Sequence, residues 1–435
     1  MSEAPADVWD VIVIGAGAAG LMGAAEAAFQ GHRVLLLEKN RRPGVKILIS
    51  GGTRCNLTQA TDKRGIVTAY REQGQFLHSA LSILGPDDLI KLIEDEGVPT
   101  KREETGKIFP VSDRALDVVS ALMRRFDRSG ATLLLEQSVQ TISQQDGTFT
   151  ITTDKQTFVA GKLLITSGGK SYPGCGTTGD GYAWAEGFGH KITPLQPALV
   201  PLTTNDPWVL RLSGLTLPDV VLRIADRRGE ARGAADEGNA PAGKKGKKKL
   251  PWLDERRGSL LFTHFGLSGP VVLDISRTVT GHPEPTACDV VVDFVPDIRS
   301  DLLDEGIREQ CAAAGKKQIG GILQKWIPHR LAEEIFQQAG VSTETRAAEM
   351  SKAARSQLVR WIKEARISAS GSRGYAKAEV TAGGVDLAEV DSRTMQSKLM
   401  PGLFFAGEVL DLDGPIGGYN FQAAFATGML AGRCV

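Results

Sequence analysis

A chain of 435 residues with 42% hydrophobic and 23% charged residues has the composition of ordinary globular protein, and at about 150 residues per domain its length implies roughly three domains. Lysine plus arginine and aspartate plus glutamate each total 51, so the chain lacks the overall basic excess that binding to nucleic acid or an anionic membrane leaves. Five widely spaced cysteines without a CxxC pair argue against a zinc clamp or redox dithiol and for a reducing, cytoplasmic compartment.

The segment before Val11 carries Glu3, Asp7 and Asp10 and no basic residue, which is not the start of a secretory signal. Residues 11–14 are a short β-branched run. Glycines follow, then an Ala-rich stretch over 18–29 and a second apolar run over 34–37, which predicts strand, helix, strand: a βαβ unit with a parallel sheet. The glycines and Glu26 within 11–29 exclude a membrane span. Leu and Ile at helical spacing predict a helix over 77–96, and another begins at Asp113 and runs through Phe126. Strands are expected over 132–135, 139–142 and 163–166, the last ending in Ser167, Gly168 and Gly169.

From about Pro194 the texture changes to short alternating segments (199–202, 220–224, 259–262, 289–295), the pattern of a small β domain. Residues 229–257 are rich in Gly, Ala and Lys, including Lys244, Lys245, Lys247, Lys248 and Lys249, and read as a solvated loop, with a basic anion-binding arm as the alternative. Residues 297–365 are almost wholly helical in pattern, and 380–390 and 403–405 return to strand before an apolar helix over 420–430. The expected division is therefore 1–193 with 380–435, 194–296 with 366–379, and a helical insert over 297–365.

Gly15-Ala16-Gly17-Ala18-Ala19-Gly20 matches GxGxxG between a predicted strand and a predicted helix, the context that a dinucleotide-binding turn requires. The first glycine permits the turn, the second lets backbone approach a pyrophosphate, and the third lets helix and strand pack closely. The phosphates then meet the unpaired N–H groups and positive dipole end of the helix. Glu38 closes the second strand, where a carboxylate accepts hydrogen bonds from a ribose hydroxyl. These residues do not separate NAD from FAD.

Four blocks resemble the BaiN/RdsA-type NAD(P)/FAD-dependent oxidoreductases, also described as YhiN-like or aminoacetone oxidase-like flavoproteins. They are Lys46-Ile47-Leu48-Ile49-Ser50-Gly51-Gly52-Thr53-Arg54-Cys55-Asn56; Gly168-Gly169-Lys170-Ser171-Tyr172-Pro173 with Thr178-Gly179-Asp180-Gly181-Tyr182; residues 261–270, which include His264; and a C-terminal series through Thr381, Gly407-Glu408 and Gly417-Gly418-Tyr419-Asn420-Phe421-Gln422. Departures are Thr53, where the family usually has a glycine, Val45, where a basic residue is common, and the Lys-rich stretch. The resemblance implies an α/β fold in which a two-dinucleotide-type Rossmann FAD domain is interrupted by a β-barrel-like domain carrying a helical insert.

It also implies FAD contacts from the Gly15, Gly17, Ala18, Ala19 and Gly20 turn, Glu38 and Lys39, Lys46, Ser50 to Asn56, Val139, Ser167 to Gly169, Gly407, Glu408, Gly417, Gly418, Asn420 and Phe421. Glu408 would meet ribityl hydroxyls, and the last helix would point its N–H groups at the pyrimidine edge of the flavin. For Arg54 the alternatives are a charge near pyrophosphate or substrate and a surface salt bridge. For Cys55 they are a redox thiol and a packing residue, and for Val139 an adenine contact and a core residue. His264 is either a general acid or base or a structural histidine. No histidine pair has metal-ligand spacing, so no metal is expected.

The expected activity is hydride transfer between FAD and a small-molecule substrate, with NAD(P)H as a transient co-substrate or oxygen as second partner. The competing readings are a non-catalytic FAD-binding scaffold and a flavoenzyme acting on RNA, which the neutral charge disfavours.

Overall fold

Strands that are apolar on both faces must be covered on both faces, and this places the first two strands at the centre of a layered sheet. In the computed structural model, which describes residues 8–228 and 252–435, Val34–Leu37 is buried throughout and Val8–Ile14 is buried over its last four residues. Five strands run parallel in the order Thr132–Leu134, Val34–Leu37, Val8–Ile14, Thr157–Ile165 and Leu403–Phe405. The hairpin Val139–Gln145 and Thr148–Thr153 adds antiparallel strands to the first half of Thr157–Ile165.

The C-terminal strand is therefore integral to a sheet begun at the N-terminus. Its helix, Tyr419–Cys434, lies against Ala18–Phe29 at a separation only glycine allows. A Cβ at Gly428 would stand 2.4 Å from the Ala19 carbonyl oxygen, and one at Gly432 would stand 2.4 Å from that of Gly23. The contacts advance together along both helices, so the two run in the same direction.

By its contacts the chain divides into two units, residues up to Pro197 with Tyr375–Val435, and Ala198–Gly374. In the second, six strands close into a barrel in the order Leu202–Thr204, Gly266–Ser268, Asp254–Thr263, Thr216–Asp226, Cys288–Asp293 and Ala365–Ser372. Closure removes the exposed sheet edges that would otherwise invite pairing. The helices Ser300–Ala314, His329–Gln338 and Lys352–Glu364 follow. Their buried residues, among them Leu303, Ile307, Leu331, Ile335, Leu358 and Ile362, belong to the same hydrophobic cluster as the barrel's Leu222, Val290 and Ile367. Barrel and helices thus share one core.

Several elements differ from the sequence expectation. The helix expected over 77–96 is two, His78–Ile83 and Pro86–Asp95, because Gly85-Pro86 stops one and starts the next with proline at its first position. The block from Lys46 to Thr53 is helical over its first turn, within Val45–Thr53. A further helix, Pro270–Thr280, begins within the third block. Of residues 380–390 only Val380–Ala382 is strand, since Gly383 takes a φ of 83° and Gly384 packs on the Leu410 backbone. The lysine run 244–249 lies outside the described residues.

Candidate functional site

Four parallel strands end at one level: Ile14 is in register with Leu37 and with Ile165, and Ile165 with Phe405. A loop that the sequence singles out follows each of them, and in open α/β sheets ligands bind beyond these carboxyl ends. After the first strand, Gly15 has a φ of 102° and Gly20 is packed so closely that a Cβ there would lie 1.8 Å from the Gly15 oxygen. A Cβ at Gly17 would meet nothing within 4 Å. Gly17 is the N-cap of the helix Ala18–Phe29, with no side chain capping it, so the first-turn amides of Ala18 and Ala19 are left for an anion.

After the second strand, the buried Glu38 carboxylate accepts from Ala16 N (2.8 Å), Asn40 N (2.8 Å) and Asn40 Nδ2 (2.8 Å). It ties two loops together, and of about four acceptor positions on a carboxylate one remains for a ribose hydroxyl. Gln137 N donates to the Glu38 oxygen at 2.9 Å and Glu136 N to that of Asn40 at 3.1 Å, so the backbone leading into the half-buried Val139 runs beside this carboxylate. Lys39 donates to Thr178 Oγ1 (2.7 Å) and Asp180 Oδ2 (2.6 Å), joining the second and third strand-end loops. Thr166 Oγ1 donates to Ile14 O and Gly15 O at 2.9 Å each, which holds Ser167 and the left-handed Gly168 (φ 74°) against the first loop.

After the fourth strand, Glu408 is turned into an ion-paired cluster. Lys46 Nζ lies 2.5 Å from Glu408 Oε2 and 2.7 Å from Ser171 Oγ, while Ser171 Oγ and Thr381 N donate to Glu408 Oε1 at 2.8 and 3.0 Å. Gly169 sits against it, since a Cβ there would be 2.8 Å from Glu408 Oε1. Sequence reasoning placed Lys46 and Glu408 separately at a cofactor; their mutual pairing, and the parts of Ser171 and Thr381, need the fold. Gly407, with φ 77°, lets the backbone pass Ala19, whose Cβ would be 2.9 Å from one on Gly407.

The loop from Ser50 to Asn56 leaves its helix through three successive left-handed residues, Gly51, Gly52 and Thr53, with φ of 54°, 67° and 69°. Thr53 stands in the conformation its expected glycine would adopt freely, and for a threonine this backbone is strained. Arg54 is held by Glu103 at 2.6 Å and Asp113 at 3.4 Å, with its guanidinium 4.0 Å from the Phe109 ring centre. The bond to Glu103 raises its pKa. The side chain is thus engaged in a salt bridge, one of its two readings. Cys55 is fully buried and its thiol is pushed up to about 12 by burial, which favours packing over redox work.

At the start of the last helix, Gly417 and Gly418 have φ of 130° and 95°. Asn420 closes the preceding turn, donating to Gly414 O (3.0 Å) and accepting from Gly414 N (2.9 Å). Phe421 stacks on Phe425 at 6.0 Å. His264 belongs to the barrel unit, exposed in the turn between Asp254–Thr263 and Gly266–Ser268.

Among the described residues three buried side-chain atoms have no hydrogen-bond partner: Arg125 Nε is on the helix Ala115–Ser129, and the other two are Asn56 Oδ1 and Ser167 Oγ. Such an orphan costs about 1–3 kcal/mol, and the latter two stand in loops that the cofactor assignment uses. Together with the open space at Gly17 and the uncapped helix, they fit an elongated polar dinucleotide. Among the described residues no group of acidic, His and Cys side chains could hold a metal, and no helix is long and apolar enough to cross a membrane.

Residues 9–434 match the HI0933-like protein Rossmann domain. The chain is 34% identical over 423 residues to a ribosomal RNA dihydrouridine synthase of Escherichia coli, covering 96% of each chain. It is 33% identical over 424 residues to the protein of the same name in Haemophilus influenzae, again covering 96% of each. To a 3-dehydro-bile acid delta(4,6)-reductase of Clostridium scindens it is 30% identical over 426 residues, covering 97% of each. The chain therefore belongs to the HI0933-like Rossmann family, the family of FAD-dependent oxidoreductases that its motifs resemble.

Proposed function

We propose that this protein reduces a carbon–carbon double bond conjugated to a carbonyl group, and that its substrate is uridine in ribosomal RNA. The observation that carries the reading is the near-full-length likeness, at 34% and 33% identity, to two proteins named for making dihydrouridine in ribosomal RNA. The bile acid reductase supports the same chemistry from another substrate, because a 3-dehydro compound with delta(4,6) unsaturation is a conjugated ketone. Uridine likewise has its C5–C6 double bond conjugated to the C4 carbonyl. In both, two electrons and a proton arrive as hydride at the carbon remote from the carbonyl, and a second proton is added next to it.

FAD, when bound, supplies the two-electron hydride chemistry, and NAD(P)H is the proposed reductant, so that uridine, NAD(P)H and a proton give dihydrouridine and NAD(P)+. In this reading the protein's own groups do the holding. The Gly15 to Gly20 turn and its helix receive pyrophosphate, and Glu38 accepts from ribose. Asn56 and Ser167 take polar atoms that leave them no longer orphaned. The loops over 50–56 and 417–421 flank the ring, and the N-terminus of Tyr419–Cys434 stabilises negative charge on its pyrimidine edge. All five cysteines are free, in keeping with a cytoplasmic site of action.

Purified protein should be yellow, release FAD on heating, and be bleached anaerobically by NADH or NADPH. Ribosomal RNA from cells lacking the gene should then gain dihydrouridine on incubation with it, read by mass spectrometry of digested nucleosides. A second reading, a small conjugated ketone as substrate, is favoured by the 30% identical reductase and by the neutral net charge. It takes precedence if RNA is unchanged while such a ketone is reduced.

A further inference from the structure

No FAD contact is assigned to residues 261–270, which build a corner of the barrel unit. Thr263 Oγ1 donates to Gly266 O at 2.9 Å, closing a tight turn that presents His264 to solvent beside the half-buried Phe265. The two rings meet edge to face at 5.0 Å and 82°. Over the Phe265 ring lies the guanidinium of the exposed Arg373, 4.5 Å from the ring centre. Arg373 follows the barrel strand Ala365–Ser372, and its backbone N–H donates to Pro201 O at 3.0 Å, so its backbone is fixed.

What separates Arg373 from its neighbours is its partner. Several arginines on this unit are tied to carboxylates, as Arg211 is to Glu334, Arg223 to Glu255, Arg257 to Asp219 and Asp297, and Arg355 to Asp304, while Arg330 donates to the Arg211 and Ser213 carbonyl oxygens. Among the described residues Arg373 has no carboxylate partner and rests on an aromatic ring instead. An arginine whose positive charge is uncompensated, held on a ring and flanked by a histidine, is poorly explained as a stability device. It is the kind of surface on which single-stranded nucleic acid stacks its bases and rests its phosphates.

We infer that Arg373, Phe265 and His264 form an RNA-contacting platform, on which an unpaired base or its phosphate is held by the Arg373 guanidinium while Phe265 fixes that guanidinium in place. The platform rests on the RNA reading above and adds to it a binding surface on the barrel. None of its three residues is assigned to FAD binding, so the loss of Arg373 or Phe265 is expected to leave flavin content and reduction by NADPH unchanged.

The test uses the full-length, FAD-loaded protein and a fluorescent twelve-residue oligouridine, with affinity measured over a series of salt concentrations. Arg373→Ala is expected to weaken binding roughly ten-fold and to lower the salt slope by about one. Arg373→Lys keeps the slope but recovers only part of the affinity, since ammonium does not stack as guanidinium does. Phe265→Leu weakens binding with the slope unchanged. Each variant should keep its flavin spectrum and thermal midpoint. Unaltered affinity and slope in both Arg373→Ala and Phe265→Leu, with wild type binding RNA and forming dihydrouridine, would overturn the platform and leave the proposed function standing. Failure of the wild type itself to bind or modify RNA would overturn both.

Discussion

Gly17 and Gly20 stand three residues apart and are glycine for different reasons. At Gly20 the reason is internal, because any Cβ collides with the Gly15 carbonyl at 1.8 Å. At Gly17 the protein itself offers no obstacle within 4 Å, and in the proposed reading it is the pyrophosphate of the cofactor that would exclude a side chain there. The two substitutions should therefore separate folding from binding. Gly20→Ala is expected to destabilise the cofactor-free protein by about 3 kcal/mol, as overpacking against backbone does. Gly17→Ala should leave its thermal midpoint nearly unchanged and weaken FAD binding at least about ten-fold, since only close approach to the pyrophosphate is lost. Equal stability loss in both, seen in thermal melts of apo-protein, would refute the distinction. The glycines and the separate role expected of each were legible from the fingerprint, whereas the atoms that a side chain at each would meet came only from the fold.

At the scale of elements, segments far apart in sequence are held by buried polar contacts. His190, whose side chain is fully buried, joins Glu389 through Nδ1 at 3.1 Å and Ser397 through Nε2 at 2.7 Å. It fastens the region after Asp180–Gly187 to the irregular segment before Leu403–Phe405. Burial lowers its pKa, against an opposing pull from Glu389. A folded pKa below the unfolded value means that the unfolded chain takes the proton first as pH falls. Stability from this group is therefore present above the ordinary histidine range and is lost as pH falls from that range towards the folded pKa. The midpoint of thermal unfolding should drop more steeply between about pH 7 and pH 5 in the wild type than in His190→Gln. Parallel curves would show that His190 is not the group responsible. Nothing in the sequence near His190 announces this contact, since its partners lie some two hundred residues away.

For the whole molecule, the sheet that begins at Val8 is completed by Leu403–Phe405, while the barrel unit is continuous in sequence. Leu202 pairs with Ser372, so the two ends of that unit emerge from adjacent strands. Its barrel and helices also share a single core. Residues 198–374 expressed alone should therefore fold, with one cooperative thermal transition and no bound FAD. A broad, non-cooperative melt would mean that the barrel depends on the rest of the chain. The converse fragment, ending before residue 198, should not hold FAD, because it lacks the strand and helix that bring Gly407 and Gly418 to the site.

The sequence by itself determined the class of fold, and it set the expectation of where a dinucleotide would sit and where its domain would be interrupted. Each of these is written in local periodicity: strand-length apolar runs, a glycine spacing at a strand end, and the change of texture near Pro194 with its return near Val380. Tertiary structure alone decided how distant groups pair. It turned Glu408 onto Lys46 and Ser171, gave Arg54 to Glu103 and Asp113, and joined the helical segment to the barrel core. It also left Asn56 Oδ1 and Ser167 Oγ without partners and Arg373 on an aromatic ring. The physical reason is one of range: backbone preference and hydrophobic period act over a few residues, whereas an ion pair or an unmet hydrogen bond depends on which surfaces meet after the chain has folded.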